Sequence, residues 1–295
     1  MSITIPSNNQ TVGIAVDETS YLAMLDSQNK TNTTPDRDNL SRVRIERENI
    51  ENEDGDIIMP AGCFSIDDPT GDGRIYAKQL SFRHFGHFYR YKRYDAHAQR
   101  MTKDGESVMG AYIHSVLVNM HTDEAPSDDG GFQCGRPLGY ITDWKSLPEN
   151  EQEFIKSCRQ MVVFFGEFEI EGVDYQGRPV IDTIPAQMEL SNKTSGKTLG
   201  NHIRELREKK RINPNSIHIT LKTKKVKGGV TYYDLATSVN DSKKFIYDEP
   251  AIALAERFND YIQTTNKFVM ERHRKKIDER EDETHDGFLN VDSDD

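Results

Sequence analysis

The sequence predicts a mainly β protein of the α+β type: an OB-fold-like small barrel with long insertions, flanking helices and disordered acidic ends. Three observations lead there. Short runs rich in β-branched and aromatic residues recur between Pro60 and Thr237, at lengths that suit strands. A helix-like stretch of medium length interrupts them, as a small barrel with insertions allows. Charge is also segregated. The net charge is −11, yet residues 1–57 hold 11 acids against 5 bases, and residues 278–295 hold 9 acids against Arg280 alone. The middle is therefore left at +3. A basic body between acidic ends differs electrostatically from a uniformly acidic protein.

The elements follow in chain order. Residues 1–45, rich in Asn, Thr, Ser and Asp, read as a flexible N-terminal arm. The strand-rich domain spans 46–245. Its first strands are expected at Cys63–Ile66 and Arg74–Arg83; the second would put Ile75 and Ala77 on one face and Tyr76, Lys78 and Leu80 on the other. Phe85–Tyr94 and Val108–Met120 read as further strands. Pro148–Gln160 reads as a helix opened by proline and acids, and MVVFFGEFEI (Met161–Ile170) as a buried strand. Pro179–Leu190 is a strand, and Thr198–Lys210 a helix with Leu199, Ile203 and Leu206 on one face. Ser216–Thr223 and Gly229–Thr237 form a hairpin across Lys227-Gly228-Gly229. A C-terminal helix covers 246–277, opening at Pro250, and 278–295 is an acidic disordered tail.

Composition excludes several classes. A mean hydropathy of −0.75 and the absence of any apolar run near the length of a membrane span predict a soluble chain. The first residues lack a basic region followed by an apolar one, so no secretory signal is expected. Cys63, Cys134 and Cys158 are odd in number and widely spaced, which fits a reducing cytoplasm better than a disulfide framework.

Three segments carry chemistry. Ser81–Arg93, SFRHFGHFYRYKR, interleaves rings with cations, as a surface for a single strand needs for stacking and phosphate contact. Alternation puts Phe88, Arg90 and Lys92 on one face and Tyr89, Tyr91 and Arg93 on the other. Lys193–Lys227 sets eleven basic residues, among them Arg207, Lys210, Lys222, Lys224, Lys225 and Lys227, against Glu205 and Glu208. Phosphate neutralisation there would make binding strongly salt-dependent. The tail carries Asp286, Phe288, Asp292, Asp294 and Asp295, an acidic and partly apolar segment that can mimic a nucleic acid or dock a partner. Each has a plainer interpretation: a half-buried strand, a solvated helix face, a solubilising tail.

Other patterns fall short. Ser195-Gly196-Lys197-Thr198 ends like a phosphate-binding loop, but Ser191 stands where its first glycine is needed. His84 and His87 with the three cysteines match no zinc module. Asp67, Asp68 and Asp72 lack the closing ligand of a calcium loop. Neither metal, cofactor nor catalytic group is expected.

The segment order, RIYAKQLSFRHFGHFYRYKRYD, then QCGRPLGYITDWKSLPENEQEFIKSC, MVVFFGEFEI, RPVID, LGNHIRELREKKRI and KGGVTYYDL, resembles the single-stranded DNA-binding proteins of short-tailed bacteriophages, over most of the chain from Val43. The resemblance implies an OB-fold and sequence-tolerant binding of single-stranded DNA in replication and recombination, in the host cytoplasm and without catalysis. It implies DNA contacts at Arg83, Phe85, Tyr89, Tyr91, Lys92 and Arg93 and on Lys222–Lys227; Arg90, Arg207 and Lys210 extend that set. Implied partners are polymerase and helicase-primase, reached through the tail, and a homo-oligomer is compatible. The relatives' terminal aromatic is displaced here to Phe288. The alternative is a non-enzymatic assembly factor whose basic β domain holds an acidic partner.

Overall fold

The computed structural model describes residues 40–69, 73–101, 107–119, 143–227 and 232–288. Eleven strands are found among them. β1 (Ser41–Ile45), β4 (Phe64–Asp67), β5 (Arg74–Ala77), β6 (Gln79–Met101) and β7 (Ser107–His114) belong to one sheet. So do β8 (Arg159–Val173), β9 (Pro179–Ser191), β10 (Ile217–Val226) and β11 (Tyr232–Lys244). β2 (Ile50–Glu51) and β3 (Ile57–Met59) pair separately. The helices are α1 (Glu149–Ser157), α2 (Ser195–Glu208) and α3 (Glu249–Phe288).

β8 is the spine. One edge pairs with β6 and, at its far end, β5; the other pairs along its length with β9. β9 runs parallel to β1, which pairs with β4, and β4 with β5. This path returns to β8 only through Tyr76 opposite Val173. The 23 residues of β6 outrun the closure and pair onward with β10 and β7. The expectation of an OB-fold-like barrel is therefore met only at a coarser level. The protein is mainly β, with a large mixed sheet that is not a clean barrel.

The buried strand earns its continuous apolar run by being covered on both faces. Val162, Phe164 and Phe168 join a core with Phe64, Phe82 and the α2 residues Leu199, Ile203 and Leu206. Val163 and Phe165 point the other way, into a second core with Phe85, Ala251, Ala255, Phe258 and Ile262 beneath α3. Gly166 sits where β6 comes closest. A Cβ there would lie 2.1 Å from the Arg83 carbonyl oxygen and 2.4 Å from the Phe82 ring, so only glycine permits this approach.

Four expectations need correction. The arm does not extend to 45: Leu40 and Val43 are buried and β1 lies inside the sheet, because Ser41-Arg-Val-Arg-Ile45 alternates as a half-buried strand should. Leu80 shares the core with Ile75 and Ala77, since the chain bends at Lys78 between β5 and β6 and resets the alternation. α1 stops at Ser157, where the sheet claims the chain from Arg159. α3 continues to Phe288, well into the stretch expected to be disordered; residues 271–283 are mostly Glu, Asp, Lys and Arg, and Glu, Lys and Arg sustain a helix.

Candidate nucleic-acid interface

A bulge decides which side chains of β6 reach solvent. Its pairing with β8 slips between His84 and Gly86, so Phe85 is an extra residue and the alternation changes phase. Before the slip Phe82 and His84 face α2; after it His87 and Tyr89 do. His84 Nε2 and His87 Nδ1 are 3.1 Å apart, one donating to the other. Burial, then His87 and Arg207, holds the His84 imidazole well below its ordinary range. On the opposite face lie Phe85 and Phe88, packed toward α3, and then Arg90 and Lys92.

Beyond Ile262 the cover thins. α3 is held there by Asn266, whose side-chain nitrogen donates to the Leu117 carbonyl at 2.9 Å and whose oxygen accepts from the Leu117 N–H at 2.7 Å. Gln187 of β9 donates to the Tyr261 hydroxyl at 2.5 Å. A groove of about 1740 Å³ is bounded by this helix, the sheet and the β10–β11 hairpin. Arg42 and Arg44 of β1, Arg90 and Lys92 of β6, and Arg159 of β8 line it. Arg47, Lys225, Arg257 and Arg272 complete nine cations, against four acids: Glu48, Glu189, Glu256 and Asp260. Tyr112, Tyr232, Tyr233, Tyr261 and Phe268 contribute rings. Tyr233 is seated over Gly62, whose φ is +87° and where a Cβ would strike the ring at 2.4 Å.

Burial and the crowding of positive charge act together on two groups of this wall. Burial, then Arg90, Arg42 and Arg159, pulls the Lys92 ammonium below its ordinary value. Burial, then Arg90 and Lys92 followed by Arg42 and Arg272, takes His114 from 6.5 down to about 3. His114 is thus a neutral ring at the side of a cationic groove. Lys92 also lies 4.8 Å from the Tyr112 ring centroid, within cation–π range.

The expected contacts divide. Arg90, Lys92 and Lys225 line the groove. Arg83 does not: it is buried, donates to the Asn215 carbonyl at 2.8 Å and the Ile246 carbonyl at 3.2 Å, and pairs with Glu167 at 3.0 Å. Its guanidinium is spent on holding the fold. Phe85 is buried against Phe258, with ring centroids 5.6 Å apart, so it offers no free face. Tyr89 and Tyr91 are half-buried on the α2 side, and burial raises the Tyr89 phenol. Arg93 lies 3.6 Å from Asp95 and 4.9 Å from the Phe154 ring. Arg207 is half-buried beside His84; Lys210, Lys222, Lys224 and Lys227 are exposed outside the groove. Asp286 and Phe288 fall in the last turns of α3, while Asp292, Asp294 and Asp295 lie outside the described residues.

Sequence reasoning missed six of the nine, Arg42, Arg44, Arg47, Arg159, Arg257 and Arg272, because they come from separate stretches of chain that only the fold brings to one groove. The pair Tyr232-Tyr233 beside the hairpin was the one available signal. The loop-like Ser195–Thr198 is closed by Asp234, which accepts from the Ser195 hydroxyl at 2.8 Å. Cys63 is buried, its thiol raised to about 11 by burial and then Glu46; Cys134 lies outside the described residues. Among the described residues no group of three or more His, Cys, Asp or Glu is placed to hold a metal. None of their helices is long and apolar enough to cross a membrane.

Comparison with family models, with curated proteins and with solved structures finds no match to this chain.

Proposed function

We propose that the protein binds single-stranded nucleic acid, without catalysis and with little sequence preference, in the groove between the sheet and α3. The observation that carries this is the groove lining itself: nine cations against four acids, with five aromatic residues among them. A single strand needs this combination, since cations track its phosphates and rings stack its bases, at about 1–3 kcal/mol per base. The resemblance to phage single-stranded DNA-binding proteins makes DNA in replication and recombination the natural ligand. The reading rests on the groove and does not require an OB-fold. Nine acids in the last eighteen residues give the C-terminal segment the charge to compete for the same cations and to dock replication proteins.

Fluorescence anisotropy with labelled oligo-dT and with duplex DNA of equal length tests this. The single strand should bind more tightly, with affinity falling steeply with salt. Equal affinity for the two would favour the other use of such a surface, capture of an acidic protein partner. Removal of residues 278–295 should tighten binding to oligo-dT; unchanged affinity would take the tail out of the scheme.

A further inference from the structure

The innermost cations of the groove are already engaged. Lys92 Nζ lies 2.9 Å from one carboxylate oxygen of Glu189, and Arg90 donates to the other. The three side chains are only 14% (Arg90), 27% (Lys92) and 18% (Glu189) exposed. Glu189 is fixed in place, because its neighbours on β9, Met188 and Leu190, are sunk in the core on the opposite face. Its carboxylate therefore has to lie on the groove side, between the two cations that the strand β6 delivers there.

Two oxygens bridging a guanidinium and an ammonium reproduce what the two free oxygens of a phosphodiester would do. We infer that Glu189 is a built-in competitor for the phosphate of the bound strand, which must replace it to reach Arg90 and Lys92. This rests on the nucleic-acid reading above. The exchange trades one anion for another at the same pair of cations. Affinity is thereby held down, and fewer counterions are released than the number of cations suggests. The groove is kept from binding any polyanion too tightly to let go. Glu48, Glu256 and Asp260 also line the groove, but it is Glu189 whose carboxylate bridges Arg90 and Lys92.

Anisotropy titrations of labelled oligo-dT over a range of salt, with the full chain and with Glu189→Gln, decide the matter. The variant should bind about tenfold more tightly at low salt. Its slope of log K against log salt should steepen by about 0.7, the share of the one phosphate whose place Glu189 takes. Glu256→Gln makes the same change of charge elsewhere in the groove and should tighten binding by less than about threefold. Glu189→Asp, too short to bridge both cations, should fall between and serves if the Gln variant does not fold. Binding by the wild type with no tightening in either Glu189 variant overturns the role of Glu189 alone, as does an equal gain from Glu256→Gln. No binding by any of them overturns the nucleic-acid reading as well.

Discussion

The two halves of β6 look alike in sequence and do opposite things. SFRHF and YRYKR both alternate rings with cations, yet Phe85 and Arg83 are buried while Arg90 and Lys92 reach a groove. What separates them is the cover. The first turns of α3 bring Ala251, Ala255 and Phe258 down onto Phe85, and Arg83 is drawn to Glu167 and two backbone carbonyls. From Tyr261 onward the helix presents Thr264, Thr265 and Phe268 across a gap. An aromatic-basic strand is thus either a clamp or a binding surface according to its neighbours, and composition alone does not distinguish the two.

The strongest way to break the comparison is to treat the first half as if it bound ligand. Phe85→Ala should cost about 3–5 kcal/mol of stability, as removal of a buried ring does. Arg83→Ala should cost about 3 kcal/mol by stranding Glu167 and two carbonyls. Urea denaturation measures both. At temperatures where the variants remain folded, affinity for oligo-dT should change by less than about twofold. A large loss of affinity with unchanged stability would move the binding surface back to the first half.

The second half should answer in the reverse sense. Arg90→Gln with Lys92→Gln should weaken oligo-dT binding by about tenfold or more and flatten the salt slope by about 0.7, the share of the one phosphate they hold. The effect on the urea midpoint should be smaller than that of Phe85→Ala. If Glu189 is displaced on binding, a third substitution, Glu189→Gln, adds little in this background, because nothing is left for it to release.

How much of this was legible in the sequence follows from the same contrast. Strand and helix identities were readable from local periodicity: Met161–Ile170, Pro179–Leu190 and the hairpin lie within or against β8, β9, β10 and β11. The grouping of Phe88, Arg90 and Lys92 was also right, because all three lie after the bulge. The groove was not readable. Arg42 comes from a strand hidden in a polar, arm-like region, and Arg257 and Arg272 from a helix, 167 and 182 residues further on than Arg90. Only tertiary pairing brings them together. The closure of the sheet was misjudged for a physical reason too, since no periodicity announces that one strand will run for 23 residues and pair with three others.

Histidines sharpen the comparison through pH. His84, on the covered side, and His114, in the groove wall, are both held neutral below the ordinary value of 6.5. A depressed histidine stabilises fully above its unfolded pKa, and that stability is lost as pH falls from there toward the folded value. For His114 the window runs from about 6.5 to about 3. Each such group contributes up to about 1.4 kcal/mol per pH unit within its window. The urea midpoint should therefore be flat above pH 7.5 and drop between pH 6.5 and 5. His114→Asn should make that drop shallower by one group's share, and a profile identical to wild type would mean that His114 keeps its ordinary pKa in the folded protein.

The finest cut falls between two adjacent residues of the hairpin. Lys224 and Lys225 are both exposed on β10, and successive strand residues face opposite ways. Lys225 lines the groove, while Lys224 lies 3.8 Å from Asp234, which also holds Ser195 at the start of α2. Charge alone makes them equivalent, since either substitution removes one cation from the same stretch of surface. Contact does not. Lys225→Ala should weaken oligo-dT binding about threefold and lower the salt slope by about 0.7, the share of one phosphate contact on a single strand. Lys224→Ala should leave the slope unchanged, because long-range attraction across a hairpin is screened within about 10 Å at 0.1 M salt. Equal slopes for the two variants would mean that the basic stretch acts as a diffuse field and that the groove's edge does not run between these side chains.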